Sequence, residues 1–215
     1  MFVTELRREY KLAGLRRSDL EADPLVQFEK WFGQASGARG AEPIDVNAMT
    51  LATMDEQGRP SARIVLLKGV DQRGFVFFTS YESRKGRELA INPQAALVFY
   101  WPEQERQVCV AGEVSKLPPE ESDAYFQSRP RGSQVAACAS RQSEAVSDRA
   151  ALEQQWQQEE ARHAGGDVPR PPHWGGYVLR PSRIEFWQGR PNRLHDRFCY
   201  ERQGDGSWRM ERLWP

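Results

Sequence analysis

The sequence predicts a mainly β, antiparallel fold with flanking helices, its strands closing as a barrel. Three observations predict it. Short strand-like runs at 48–54, 63–68, 75–79, 95–101 and 107–115 follow one another through Gly-bearing turns, few helices interrupt them, and the longest helical composition is set apart at 118–163. No Gly-x-Gly-x-x-Gly follows a strand, so a βαβ nucleotide site is not indicated.

The 215 residues suffice for one sizeable core, and a single domain spanning 1–215 is expected. Thirty basic and thirty acidic residues cancel, so no global field favours nucleic acid or an anionic membrane, and any anion site must be local. Cys109, Cys138 and Cys199 are odd in number and widely spaced, which argues against a disulfide framework or a structural zinc and for a reducing, cytoplasmic compartment. The first ten residues mix charged and apolar side chains and lack the apolar core of a signal peptide. The longest uncharged stretch, 89–102, has 14 residues and two prolines, too short to span a bilayer.

Taken in order, residues 4–12 suit a short helix ending near Gly14. Asp23-Pro24 reads as an N-cap with proline at the first helical position, and Leu25, Phe28, Trp31 and Phe32 recur at helical spacing as a core stripe. The strand at 48–54 leads to a turn at 55–58. Residues 63–68 and 75–79, with a turn at 71–74, read as a hairpin. Ser83 then caps a helix that stops before Asn92-Pro93. Arg84 and Lys85 in its first turn face the positive end of the helix dipole, an arrangement that a bound phosphate would make favourable. Arg63 and Lys68, five residues apart, point to opposite faces of a regular strand and lie roughly 17 Å from each other. They are therefore assigned to two different phosphates, Arg63 with Arg84 and Lys85 on one, Lys68 on the other; a solvated hairpin and an ordinary charged helix start remain open on residue types alone.

In the helical stretch, Tyr125 and Arg129 are four apart and share a helix face, and Ser133 follows Pro130 where a new helix starts. Together they suit a phosphate monoester, with a surface turn as the alternative. Ser147-Asp148 caps a polar helix running to about Arg162. A stiff loop at 168–173 precedes strands at 176–179 and 184–188. The run 193–198 alternates Arg193, His195 and Arg197 with Leu194, Asp196 and Phe198, which on a strand puts three cationic or titratable groups on one face. Such a face needs an anion, or a neighbouring chain's carboxylate, to offset its repulsion.

With this run in view the chain resembles the pyridoxine (pyridoxamine) 5′-phosphate oxidase family. The matching stretches are Leu-Arg-Arg-Glu-Tyr at 6–10, Arg-Ile-Val-Leu-Leu-Lys at 63–68, Ser-Arg-Lys-Gly at 83–86, Glu-Arg-Gln-Val at 105–108, Tyr-Phe-x-Ser-Arg-Pro at 125–130, Trp-Gly-Gly at 174–176, and Glu-Phe-Trp-Gln-Gly through Arg-Leu-His-Asp-Arg at 185–197. The ordered set covers nearly the whole chain. It departs from the family's usual pattern with Ser-Gln-Val-Ala at 133–136 and with Arg-Leu-Trp-Pro at the end, where Ser-Gln-Ile-Gly and Arg-Leu-Ala-Pro are common.

The resemblance implies an FMN-binding split β-barrel, a homodimer with the flavin at the subunit interface. It implies FMN held by Arg63, Ile64, Val65, Leu66, Leu67, Lys68, Phe78, Thr79, Arg84, Lys85, Gln107, Gln142, Ser143, Trp187 and Arg197. By the same resemblance the substrate phosphate falls to Lys68, Tyr125, Arg129 and Ser133. Arg193 and His195 are the expected catalytic pair, reaching the substrate ring beside Leu194, and residues 1–20, with Arg7, Arg8, Glu9 and Tyr10, are expected to fold over the site. The implied reaction oxidises C4′ of pyridoxine 5′-phosphate or pyridoxamine 5′-phosphate, with hydride passing to the flavin and O2 becoming H2O2. The alternatives are a non-catalytic flavin or pyridoxal-phosphate carrier and a split-barrel flavin reductase.

Overall fold

The computed structural model describes residues 9–37 and 46–215. Its elements are α1 (Pro24–Gly37), β1 (Ala48–Met54), β2 (Pro60–Leu66), β3 (Gly69–Asp71), β4 (Gly74–Ser80), α2 (Arg84–Ile91), β5 (Gln94–Trp101), β6 (Arg106–Lys116), α3 (Pro119–Ser128), α4 (Arg131–Ala139), α5 (Arg149–Arg162), β7 (Trp174–Gln188), β8 (Asp196–Arg202) and β9 (Trp208–Leu213), with three short 3-10 turns. All strands pair antiparallel in the order β2-β1-β5-β6-β7-β4-β3, and β8 and β9 extend from β7. The chain passes directly from β2, at one end of that path, to β3 at the other. There the Lys68 N–H donates to the Val76 carbonyl at 2.8 Å and draws the two ends together.

β7 produces the split. Its first half pairs with β4, its second half with β8, and nearly its whole length with β6. The change of partner coincides with a register shift between Ala111 and Gly112, where a Cβ on Gly112 would meet the Arg180 carbonyl oxygen at 2.0 Å. A glycine is required by that close approach. The core is aromatic: Phe28 of α1 lies 4.9 Å from both Phe75 and Phe99, ring to ring, and Trp31 lies 5.2 Å from Phe186. The stripe read from helical spacing thus plugs the barrel. A smaller cluster of Phe126, Val135, Val168 and Trp174 seats α3 and α4 against β7.

Four expectations are corrected. Residues 9–14 form no helix; instead the Lys11 and Leu12 N–H groups donate to Glu105 Oε2 at 2.9 and 3.0 Å. The runs at 63–68 and 75–79 are not partners of one hairpin, because β2 pairs with β1 and β4 pairs with β3 and β7. The runs at 176–179 and 184–188 belong to one 15-residue strand, the proline between them sitting at the bulge. The run 193–198 is not all strand: Asn192 and Arg193 have φ of +56° and +65° in a 3-10 turn, and β8 begins only at Asp196. Among the described residues no helix is long and apolar enough to cross a membrane.

Candidate functional site

A cleft of ≈ 470 Å³ opens between β2, β4, the start of α2 and the α3–α4 junction. It collects Ile64, Val65, Leu66, Lys68, Phe78, Thr79, Lys85, Tyr125, Arg129, Ser133 and Gln142, residues from both ligand sets expected above. The β2–β3 passage delivers Lys68. The α3–α4 junction delivers the rest of the phosphate donors. Arg129 is the C-cap of α3 with ψ 149°, not a member of the helix, because the residue before a proline is driven out of the helical region. Its guanidinium lies 4.5 Å over the Trp174 ring, while Tyr125 stacks on Phe78 at 3.8 Å and runs nearly parallel to Trp174. Arg129 Nη1 is buried with no hydrogen-bond partner. A buried guanidinium donor aimed at nothing is costly unless an acceptor arrives.

Lys85 is the buried cation of the cleft. Its Nζ donates to Gln142 Oε1 at 2.8 Å and to Thr79 Oγ1 at 3.3 Å. Burial first, then the charge of Arg63, lowers its pKa to about 8, against the opposing pull of Glu88. Ser83 caps α2 as expected, its Oγ accepting from the Gly86 N–H at 3.2 Å. Ser143 Oγ accepts from the Arg84 N–H at 3.1 Å.

Arg63 and Arg84 converge elsewhere. Glu88, buried in the second turn of α2, accepts from Arg84 Nε at 2.9 Å and from Ser61 Oγ at 2.6 Å, with Arg63 Nη2 at 3.4 Å and the Thr53 hydroxyl closing the ring. Burial alone would raise the Glu88 pKa; the hydrogen bonds from Ser61, Thr53 and Arg84 and the charge of Arg63 outweigh it and bring it to about 2. Arg63 and Lys68 do part company, Arg63 beside Glu88 and Lys68 in the cleft, but Lys68 lies beyond the end of β2, so strand parity does not place it, and the three cations assigned to one phosphate divide between a carboxylate and the cleft. Leu67 turns its side chain into the core and does not line the cleft.

A second constellation forms around the far end of β7. Tyr10 lies 5.5 Å from Trp187 and 5.7 Å from His195, and Trp187 lies 4.6 Å from His195, ring to ring. Gln107 and Arg197 are the cross-strand partners of Trp187. Arg197 donates from Nε to Glu185 Oε1 at 2.7 Å and from Nη1 to the Trp214 carbonyl at 2.9 Å. The carboxylate that offsets Arg197 thus comes from β7 of the same chain and not from a neighbouring chain. His195 Nδ1 accepts from the Arg190 N–H at 3.1 Å, which places the neutral ring's proton on Nε2. Burial and then the Arg193 charge lower its pKa, with Asp196 opposing. Arg193 and Leu194 are exposed beside it, and Glu9 pairs with Lys11 at 2.7 Å. Arg7 and Arg8 lie outside the described residues.

One chain does not join the two constellations. Trp174 lines the cleft and Trp187 the second group, thirteen residues apart on β7, roughly 40 Å of extended strand. Sequence reasoning gave no role to Trp174, Glu88 or Glu185. Glu88 was findable, since it stands four residues after Arg84 on a helix; Glu185 was not, because strand pairing had to be known.

The chain matches the profile "Pyridoxamine 5′-phosphate oxidase" over residues 41–163 and "Pyridoxine 5′-phosphate oxidase C-terminal dimerisation region" over residues 174–215. It is 58% identical over 213 residues to a pyridoxine/pyridoxamine 5′-phosphate oxidase of Paraburkholderia phymatum, covering 99% of each chain. The corresponding protein of a Cyanothece species is 55% identical, over 99% of this chain and 98% of its own. Among solved structures, PhzG from Burkholderia lata, crystallised with tetrahydrophenazine-1-carboxylic acid, superposes with a TM-score of 0.88 at 33% identity, over 97% of this chain and 100% of that one. A pyridoxamine 5′-phosphate oxidase-related, FMN binding protein from Nostoc punctiforme shares the fold, with a TM-score of 0.71 at 17% identity over 91% and 100%. The mainly antiparallel split barrel with its flanking helices, and the agreement of both halves of the chain with one set of relatives, establish that this chain belongs to the pyridoxine/pyridoxamine 5′-phosphate oxidase family of oxidoreductases.

Proposed function

We propose that the protein oxidises pyridoxine 5′-phosphate or pyridoxamine 5′-phosphate to pyridoxal 5′-phosphate with FMN as cofactor and O2 as oxidant, releasing H2O2 and, from the amine, ammonia. The observation that carries this reading is the unpartnered, buried Nη1 of Arg129 in a cleft that also presents Lys68, Tyr125 and Ser133. That donor set suits a phosphate monoester and has no apolar use.

The residues present also fit FMN: Lys85 and Thr79 offer a buried polar floor with Gln142 at its exposed rim, Ile64 and Leu66 an exposed apolar wall, and α2 a capped helix start. FMN, when bound, supplies the hydride acceptor and the route to O2. The chain supplies position. Lys68 and Arg129 grip the substrate phosphate, Tyr125 and Ser133 add hydroxyl donors, and this anchor fixes where the ring lies. His195, neutral and protonated on Nε2, donates a hydrogen bond to the ring rather than removing a proton, and Arg193 contributes fixed positive charge beside it.

The assembly we infer is a homodimer in which one protomer's cleft is completed by its partner's Tyr10–Trp187–His195 group. The roughly 40 Å of strand between the two constellations and the C-terminal dimerisation match support it. The three cysteines, all unpaired, accord with the cytoplasmic setting expected from sequence. Peroxide release by purified, flavin-loaded protein tests the reaction: it should be rapid with pyridoxine 5′-phosphate and slow with pyridoxine. Equal efficiency with both would overturn the phosphate anchor, and turnover of a phosphate-free tricyclic acid in preference would favour a PhzG-like role.

A further inference from the structure

The cations expected to hold the flavin phosphate are not waiting for it in the same way. Lys85 faces the cleft through Gln142 and Thr79. Arg63 and Arg84 instead share a carboxylate: Glu88 Oε1 takes Arg84 Nε at 2.9 Å, and Oε2 takes Ser61 Oγ at 2.6 Å and lies 3.4 Å from Arg63 Nη2. Glu88 is 4% exposed, and every described group facing it is a donor, from β1 (Thr53), β2 (Ser61, Arg63) and α2 (Arg84). A buried carboxylate in such a ring binds its donors as a phosphate would. Without it, three cations would crowd the start of one helix, where the helix dipole already disfavours them.

We propose that Glu88 is a resident counter-anion that occupies the place of a phosphate between Arg63 and Arg84 and thereby sets how strongly the site prefers a phosphorylated flavin. The proposal rests on the reading that these arginines serve FMN. Glu88 stabilises the empty site and opposes the incoming phosphate, so it exchanges affinity for the integrity of the apoprotein. Glutamine at the same position keeps an acceptor for Arg84 and a polar partner for Ser61 and Thr53 while removing the charge.

The experiment measures dissociation constants of FMN and riboflavin, by quenching of flavin fluorescence, on apoprotein of the wild type and of Glu88→Gln and Glu88→Ala. The ratio of the two constants isolates the phosphate, since general loosening weakens both ligands. In Glu88→Gln the preference for FMN over riboflavin should rise on the order of tenfold, because a unit charge beside a desolvated anion is removed. Glu88→Ala, which removes the same charge with different packing, should shift the ratio the same way. The melting temperature of Glu88→Gln apoprotein should fall below wild type and recover towards it in inorganic phosphate. A ratio unchanged or lowered in both variants overturns the proposal while leaving the flavin reading intact, whereas a wild type that binds FMN no better than riboflavin overturns both.

Discussion

Four side chains carry tests that each read one interaction. Arg129→Ala removes a charged donor pair from the phosphate anchor and should raise the KM for pyridoxine 5′-phosphate by about 10- to 100-fold with a smaller change in kcat. Trp174→Leu leaves the charge but takes away the ring under the guanidinium, and the same constant should rise by no more than about tenfold. Steady-state kinetics on the phosphorylated substrate check both. Lys85 gives a pH dependence. Its pKa near 8 in the folded protein means that the cleft loses this charge as pH rises through 8, so FMN affinity should be flat below about pH 7 and fall above it. The sign for stability is opposite: between about 8 and the ordinary 10.5 the folded state holds fewer protons than the unfolded chain, and apoprotein stability from Lys85 rises with pH. Calorimetric FMN titrations at pH 7 and 9 decide the first. For His195, whose pKa is lowered below the ordinary 6.5, the neutral form prevails at pH 7, and kcat/KM should decline only on the acid side of 6.5. At this scale the sequence was a fair guide to which residues lie together in the cleft and a poor one to what they touch. Lys68, Tyr125, Arg129 and Ser133 do share a cleft, yet the carboxylates on Arg63, Arg84 and Arg197 were invisible or overlooked.

Elements were legible where a local signal fixes them. Ser83 before a helix, Asp23-Pro24 before another and Asp148 before a third all cap as their chemistry demands, and 48–54 is a strand with those bounds. Ser83→Ala should cost about 1 kcal/mol of stability, measured by chemical denaturation, since the Gly86 N–H loses its side-chain acceptor and the Ser80 carbonyl keeps only the backbone N–H of residue 83. Illegible elements were those that depend on pairing or on an unusual backbone. The 71–74 turn is real, but it joins β4 to a three-residue strand, and the apparent hairpin partner at 63–68 pairs with β1 across the sheet. The alternation at 193–198 mimics a strand because the eye sees period two, whereas two consecutive left-handed residues at Asn192 and Arg193 delay the strand to Asp196. The bulge is a further case. Gly112→Ala would press a methyl group into the Arg180 carbonyl, and a loss on the order of 2–4 kcal/mol is expected in the same denaturation assay.

For the whole molecule, the barrel class followed from short strands and tight turns, but the closure through 67–68 and the branching of β7 required the full pairing map. The dimer we infer makes a prediction that no single chain can imitate. Lys68→Ala damages the cleft and Arg193→Ala the far constellation, so each homodimer should be impaired, while random mixing of the two leaves one intact site in half of the dimers. Co-expression should therefore restore about a quarter of wild-type turnover, as symmetry of a two-fold assembly dictates. No recovery after verified subunit exchange would show that both constellations serve the same protomer.

β7 is the one strand that reaches from Trp174 to Trp187, and it therefore acts as a measuring rod between two pieces of chemistry. Inserting or deleting a single residue along it would invert every side chain beyond the change and alter the spacing between the halves at once. The tip joining β8 to β9, at residues 203–207, has no such duty. Length variants should be tolerated there and forbidden between 174 and 188, a contrast that an insertion scan scored for retained yellow colour would expose.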